Sequence, residues 1–327
     1  MFFFQCNAPK KADKPLSADP ARIDQYTGSL YQDNYVWGGA MNLCWTMLCE
    51  AVIHSPIELD TDDQPALEMA NSLNHPVCTT KDLDAPSYYV KAGLGSRTLE
   101  AINRECKAKF PQKTFPDLTF DLADDDIISY AYFYKKVAYA TQFSRRAVAF
   151  NGQQVQGFEA RDGQKKTVEV IDYQSNDQFV IRLRLKDNAD ELILAKGYDT
   201  RQPNEVLLAL ANLSAKAPTP LESEDVFSMP LIKLKFRRNY TEMLGKKLKN
   251  PSFTGYAISQ MFENIAFELD ETGASVENEA VMTLVRGAYR TGRFFYLDKP
   301  FWVIMKRADS PNPYFLLGVN NTNILQP

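Results

Sequence analysis

Near its carboxyl end the chain reads Phe267-Glu268-Leu269-Asp270-Glu271-Thr272-Gly273, then runs through Ala274 to Arg293. It resumes as Phe294-Phe295-Tyr296-Leu297-Asp298-Lys299-Pro300-Phe301-Trp302-Val303-Ile304-Met305 and Tyr314-Phe315-Leu316-Leu317-Gly318-Val319-Asn320-Asn321. An apolar strand ends in an acidic turn with a glycine, and two strongly apolar strands follow. The tract between them, roughly twenty residues, lacks the pattern of a core element and is long for a plain connection, and segments of that length usually carry function. The arrangement therefore predicts a segment presented outside a β-rich body.

Composition narrows the field. The 327 residues are 45% apolar and 24% charged, with a formal charge of −4, the profile of a globular chain with enough length for one large domain. An acidic balance does not point to a nucleic-acid polyanion. The basic runs Lys233-Leu234-Lys235-Phe236-Arg237-Arg238 and Lys246-Lys247-Leu248-Lys249 read as a solvated strand edge and a helix end. Cys6, Cys44, Cys49, Cys78 and Cys106 make no C-x-x-C pair, and only His54 and His75 could join them, so neither a zinc site nor any other metal site is expected. No Gly-x-Ser-x-Gly elbow, His-Glu-x-x-His helix or complete phosphate-binding glycine pattern occurs. Asp124-Asp125-Asp126 reads as a solvated turn rather than an acid–base pair. Neither enzymatic activity nor a cofactor is expected.

The amino terminus, Met1-Phe2-Phe3-Phe4-Gln5-Cys6-Asn7 followed by Lys- and Pro-rich sequence, resembles the tail of a bacterial lipoprotein signal, with Cys6 as the lipidation candidate. The alternative is a frayed start to the chain. Residues 1–20 are expected to be a tether or signal remnant and 21–327 a single domain, placed outside the cytoplasm by secretion or a lipid anchor. No run is long enough to be a transmembrane helix.

Periodicity fills in the middle of the chain. Residues 7–35 read as tether and loop. Met41, Leu43, Cys44, Trp45, Leu48, Ala51 and Val52 recur as on a buried helix within Gly38–His54. Asp60-Thr61-Asp62-Asp63 caps a helix through Leu73, with Pro65 in its first turn and Asn74-His75-Pro76 ending it. Gly95-Ser96-Arg97-Thr98 opens a third, in which Leu99, Ile102 and Cys106 share a face and which Pro111 closes. From Ile127 onward strands dominate. Asn151-Gly152 predicts a tight hairpin between Val148-Ala149-Phe150 and Val155–Phe158. Phe179 to Leu185 alternates with arginines, predicting one wet face, and pairs with Glu191–Ala195 across Lys186-Asp187-Asn188. Pro203–Leu213 reads as helix, Leu231–Phe236 as strand and Tyr240–Leu248 as a short helix. Helices first and long strands later imply an α+β fold on large, mostly antiparallel sheets.

Five blocks in this order resemble the serpins, from Gly93 to the end of the chain. Ala101-Ile102-Asn103-Arg104-Glu105 is similar to the family's helix that crosses its main sheet. Tyr132-Phe133-Tyr134-Lys135-Lys136, with Tyr139 and Phe143, resembles its Asn-Ala-x-Tyr-Phe-Lys strand, with Ala131 for the Asn and Tyr139 for a Trp. Val180–Leu194 resembles the strand pair around Leu-Pro-Tyr, with Arg184 for the Pro. Met229–Phe236, with Tyr240 and Leu244, resembles the Pro-Lys-Phe strand and its helix. The fifth block is the carboxyl-terminal pair of strands. The first hundred residues lack the family's Asn-x-x-x-Ser-Pro-x-Ser segment, and the histidine that partners it falls on Glu263.

The resemblance implies a serpin-like fold with an exposed reactive-type loop at about 271–293. It implies a peptidase inhibitor whose cut loop inserts into the main sheet as a new strand. The hinge would comprise Glu271, Gly273, Ala274 and Val276. With a period of two, Ala274, Val276, Asn278, Ala280 and Met282 would face inward. The family's hinge-to-bond spacing counted from Glu271 reaches Gly287, and counted back from Pro300 it reaches Tyr289. The scissile region is therefore Arg286-Gly287-Ala288-Tyr289-Arg290, and its arginines imply a trypsin-like target peptidase as partner. Against this, Val276-Glu277-Asn278-Glu279 departs from the family's small-residue run, which keeps open a non-inhibitory binding or structural protein, surface-tethered through Cys6.

Overall fold

The computed structural model describes residues 26–114, 116–214, 216–273 and 292–327. The tether and Cys6 lie outside these residues.

The described residues open on a hairpin, β1 (Ser29–Tyr31) and β2 (Asn34–Gly38), turning through Gln32 and Asp33 at positive φ. This corrects the reading of residues 7–35 as loop. The strands are too short to show alternation, yet Tyr35, Val36 and Trp37 are all buried. α1 (Ala40–Leu48) follows and widens into a π-type turn over Cys49–Ile53, which left-handed His54 ends. After β3 (Leu59–Asp60), α2 (Gln64–Asn74) buries Ala66, Ala70 and Leu73, one stripe at helical spacing. Asn74 at its end ties down both neighbours, with its side-chain oxygen accepting from Trp45 Nε1 at 2.9 Å and Ile57 N at 3.1 Å.

β4 (Tyr88–Leu94) leads into α3 (Gly95–Lys109), whose Leu99, Ile102 and Cys106 are buried as their spacing implies. β5 (Ile127–Phe133) returns beside β4. β6 (Ser144–Phe150) and β7 (Gln153–Glu159) form the hairpin, with Asn151 at φ 47° and Gly152 at φ 79° as its mirror-image turn requires. Then come β8 (Val168–Ser175), β9 (Gln178–Leu183), β10 (Asp190–Lys196), α4 (Pro203–Leu213), β11 (Thr219–Pro220), β12 (Val226–Pro230) and β13 (Ile232–Asn239). The wet face expected of residues 179–185 is only partly present. Val180 is as buried as Phe179 and Ile181, because β9 is an interior strand of its sheet.

The helix expected over Tyr240–Leu248 is a single 3-10 turn at Thr241–Met243, followed by β14 (Lys247–Leu248) paired with β3. Gly245 at φ 75° breaks the helical path between them. β15 (Phe262–Leu269), β16 (Phe294–Tyr296), β17 (Phe301–Arg307) and β18 (Pro313–Val319) complete the chain.

An eight-stranded sheet, ordered β1-β2-β18-β17-β10-β9-β8-β11, forms the spine. Its inner strands are antiparallel, and β18 is buried at every position. A four-stranded sheet, β16-β12-β7-β6, stands beside it. One core cluster joins these sheets through Phe143, Phe158, Phe227 and Trp302; a second lies around α1 and α2, and a third lies where α3 covers β4 and β5. The fold is α+β around a large antiparallel sheet.

Candidate loop-acceptor cleft

Two further ribbons are paired on one side only. β4 and β5 run antiparallel from Tyr88↔Phe133 to Leu94↔Ile127. β13 and β15 run antiparallel from Ile232↔Leu269 to Asn239↔Phe262. Among the described residues, β5 and β15 make no ladder with each other, and each pairs with one strand alone, β4 and β13 respectively. A cleft of about 1350 Å³ lies between them, walled by Tyr130 and Tyr132 of β5 and Ile265 and Phe267 of β15, with Cys44 and Trp45 of α1 at its floor. Every residue of β5 is half-buried, the state of a strand covered on one face and open at one edge.

Gly273 lines this cleft, two residues after Glu271. Asp270 Oδ1 accepts from the Thr272 N–H at 2.8 Å and its hydroxyl at 2.7 Å, which turns the chain sharply after β15. The carbonyl of Glu271 accepts from Phe143 N at 2.9 Å and that of Thr272 from Tyr139 N at 3.4 Å. The buried Glu271 carboxylate pairs with Arg145 Nε at 2.8 Å. Gly273 has φ 115°, and a Cβ there would meet the Val137 carbonyl oxygen at 2.3 Å, so backbone sterics alone demand glycine. Where the described chain resumes, Arg293 clamps Asp225 by N–H to Oδ1 at 3.0 Å and guanidinium to Oδ2 at 2.6 Å. Burial raises the Asp225 pKa, but the bonds from Arg293 outweigh it and hold the carboxyl below its ordinary range.

Of the loop residues singled out in the sequence, Glu271 and Gly273 are described, and Gly273 lines the cleft. Ala274, Val276, Arg286, Gly287, Ala288, Tyr289 and Arg290 lie outside the described residues.

Two buried polar clusters escaped the sequence reading. Just beyond β5, Lys135 Nζ reaches Asp84 Oδ1 at 2.8 Å and Asp190 Oδ2 at 2.6 Å, and Tyr314 donates to Asp190 Oδ1 at 3.1 Å. Nothing local in the sequence marks this set. The second surrounds Glu263, which accepts from the Tyr240 hydroxyl at 3.1 Å. The resemblance singled out Glu263, though not its surroundings. It packs against Gly38 and the Met41 amide. Asn34 is fully buried, and its side-chain oxygen accepts from Asn320 N at 2.7 Å.

Among the described residues no cluster of His, Cys, Asp and Glu could hold a metal ion, and no helix is long and apolar enough to cross a membrane. No family model and no curated protein sequence matches the chain. Solved structures do. Serpin48 of the insect Tenebrio molitor, described as a highly specific serpin, superposes with a TM-score of 0.53 at 11% identity, over 89% of this chain and 92% of its own. Thyroxine-binding globulin in complex with thyroxine gives 0.51 at 12% identity, over 88% and 92%. Human glycosylated kallistatin gives 0.51 at 14% identity, over 88% and 91%. With its large antiparallel sheet and these superpositions over nearly nine-tenths of the chain, the protein has a divergent serpin fold.

Proposed function

We propose that the protein is a peptidase inhibitor whose segment 271–293 is a bait. A trypsin-like peptidase, drawn by Arg286 or Arg290, cuts within Arg286–Arg290. The freed amino-terminal part then enters the cleft as a strand between β5 and β15. The observation that carries this reading is the pair of facing strand edges with Gly273 at their end. An added strand would complete two ladders at once, and its alternate residues Ala274, Val276, Ala280 and Met282 would be buried. The resulting stabilisation would distort the attached peptidase before it releases the loop.

The test mixes the full chain with trypsin-like peptidases. The expected result is an SDS-resistant complex and a cleaved form that melts well above the intact one. Clean cutting with no complex and an unchanged melting temperature would instead support a non-inhibitory binding or structural protein. Glu277, Asn278 and Glu279 favour that second reading, because a buried Asn278 amide left unpaired costs about 1–3 kcal/mol. We further propose extracytoplasmic placement through lipid on Cys6, which radiolabelled palmitate incorporation and its loss in Cys6→Ser would test.

A further inference from the structure

Glu263 stands on β15 opposite Arg238 of β13, with its side chain beneath the ribbon. Glutamate is rarely this buried unless paired. Its Oε2 accepts from the Tyr240 hydroxyl at 3.1 Å, while Oε1 is buried with no hydrogen-bond partner. Oε1 faces Gly38, where a Cβ would sit 3.3 Å away. The carboxyl is thus wedged between the ribbon and the turn that begins α1.

Few groups face it. β13 presents Arg238, whose guanidinium lies over the Tyr240 ring at 4.1 Å and bonds Glu242 and the Thr27 carbonyl. The turn after β13 presents Tyr240 and Glu242. From α1 come the Met41 amide and the Cys44 thiol. β5 adds only the neutral Ser129, whose hydroxyl donates to the Cys44 carbonyl at 2.7 Å. Arg238 is the one cation acting on the carboxyl among the described residues, and it already serves other acceptors. Burial pushes Glu263 up to about 7, while the Tyr240 hydroxyl, Arg238 and the Met41 amide only partly offset it.

We propose that Glu263 is a proton-operated latch: protonated, it lets the β13–β15 ribbon lie closed on the Gly38–Met41 turn, and ionised, it drives the ribbon off that turn and loosens the β15 side of the cleft. A neutral carboxyl tolerates this site, whereas a carboxylate whose Oε1 makes no well-formed hydrogen bond, with the Met41 amide close to the carboxyl, is penalised there. The closed state holds the proton more tightly than a state in which Glu263 meets water. Closure is therefore strongest at and below the ordinary carboxyl value. It weakens as pH rises toward about 7, and the penalty is constant beyond that. The latch concerns the uncut protein and stands apart from whether that protein inhibits a peptidase.

Hydrogen exchange on the intact chain tests it, with rates corrected for intrinsic amide chemistry. Between about pH 6 and about pH 8, opening of the ribbon rises about tenfold if Glu263 ionises on opening. Amides of β13 and β15 should show that rise, and those of β17 and β18 should not. Glu263→Gln should abolish the pH dependence. Tyr240→Phe removes a donor that favours the charged form and should move the midpoint upward. A wild-type ribbon insensitive to pH, a Glu263→Gln variant that keeps the rise, or a Tyr240→Phe midpoint that stays put would each overturn the latch.

Discussion

The eight-stranded sheet and the two ribbons use similar strand sequences but are held in opposite ways. In the sheet, Ile193 of β10 has Arg182 of β9 on one side and Ile304 of β17 on the other. β18 is buried at all its positions, while β5 is half-buried at all of its own. Among the described residues, β5 and β15 each keep one free edge, and a few polar side chains at their ends add to the packing of one face that fastens them. Regions with few buried contacts and open ladders open at lower free energy than the core. Stability and the capacity to rearrange are thus assigned to different parts of one chain, and substitutions in each should have different signatures.

The largest effect is expected in the sheet. Trp302 is fully buried, donates Nε1–H to the Asp199 carbonyl at 3.1 Å and meets the Tyr35 ring edge-on at 5.3 Å. Trp302→Ala should cost about 4 kcal/mol by leaving a cavity that fixed strands cannot close. Urea unfolding would show it as a lower midpoint for the whole domain. A loss confined to the ribbons would contradict the division drawn above.

Lys135 tests the fastening between the parts. It ties the end of β5 to Asp84 before β4 and to Asp190 in the sheet. Burial already pushes the Asp190 carboxyl up, and Lys135 is the main group holding it down. Lys135→Met would leave that carboxylate buried and unpaired, a loss of roughly 3 kcal/mol. Adding Asp190→Asn should restore much of it, and a double-mutant cycle measures the coupling. Simple additivity would mean that the tie carries no energy of its own.

The same division governs what could be read from the sequence. Elements fixed by local chemistry were legible: the Asn151-Gly152 hairpin, α4 from Pro203 to Leu213, and the face of α3 through Leu99, Ile102 and Cys106. At Gly273 backbone sterics demand a glycine whatever role the turn has. β2 was missed because its buried residues are explained only by pairing with β18, far away in sequence. Lys135 with Asp190, and Glu263 with Gly38, are likewise made by topology. A charged residue in a strand looks solvated until the neighbouring layer is known, so the polar fastenings of the cleft were invisible or half-visible.

A smaller, local effect is expected at the hinge. Gly273→Ala places a methyl group on the Val137 carbonyl at a φ that L-residues avoid. The strain is about 2 kcal/mol, relieved by lifting the hinge off Val137 and Ala138. The contact from Tyr139 N to the Thr272 carbonyl should be lost first. Faster exchange of the Tyr139 amide, with β17 and β18 unaffected, is the expected reading. Global destabilisation would instead place the hinge in the rigid part.

The opposite anchor should give the smallest change, and one with a pH signature. Asp225 receives the Arg293 amide and guanidinium and lies at the start of β12, which pairs with β16. Asp225→Asn keeps the shape but loses the charge, costing roughly 1.5 kcal/mol at neutral pH, the scale of a hydrogen bond to a charged group. In the folded protein this carboxyl lies below its ordinary value. Its contribution is therefore fully present above that value and is lost as pH falls through the depressed one. Wild type and Asp225→Asn should differ in melting temperature at neutral pH and converge below about pH 4. A constant difference across that range would mean that Asp225 acts through packing rather than charge. The four-stranded sheet would then owe its hold on β16 to the ladder with β12 alone.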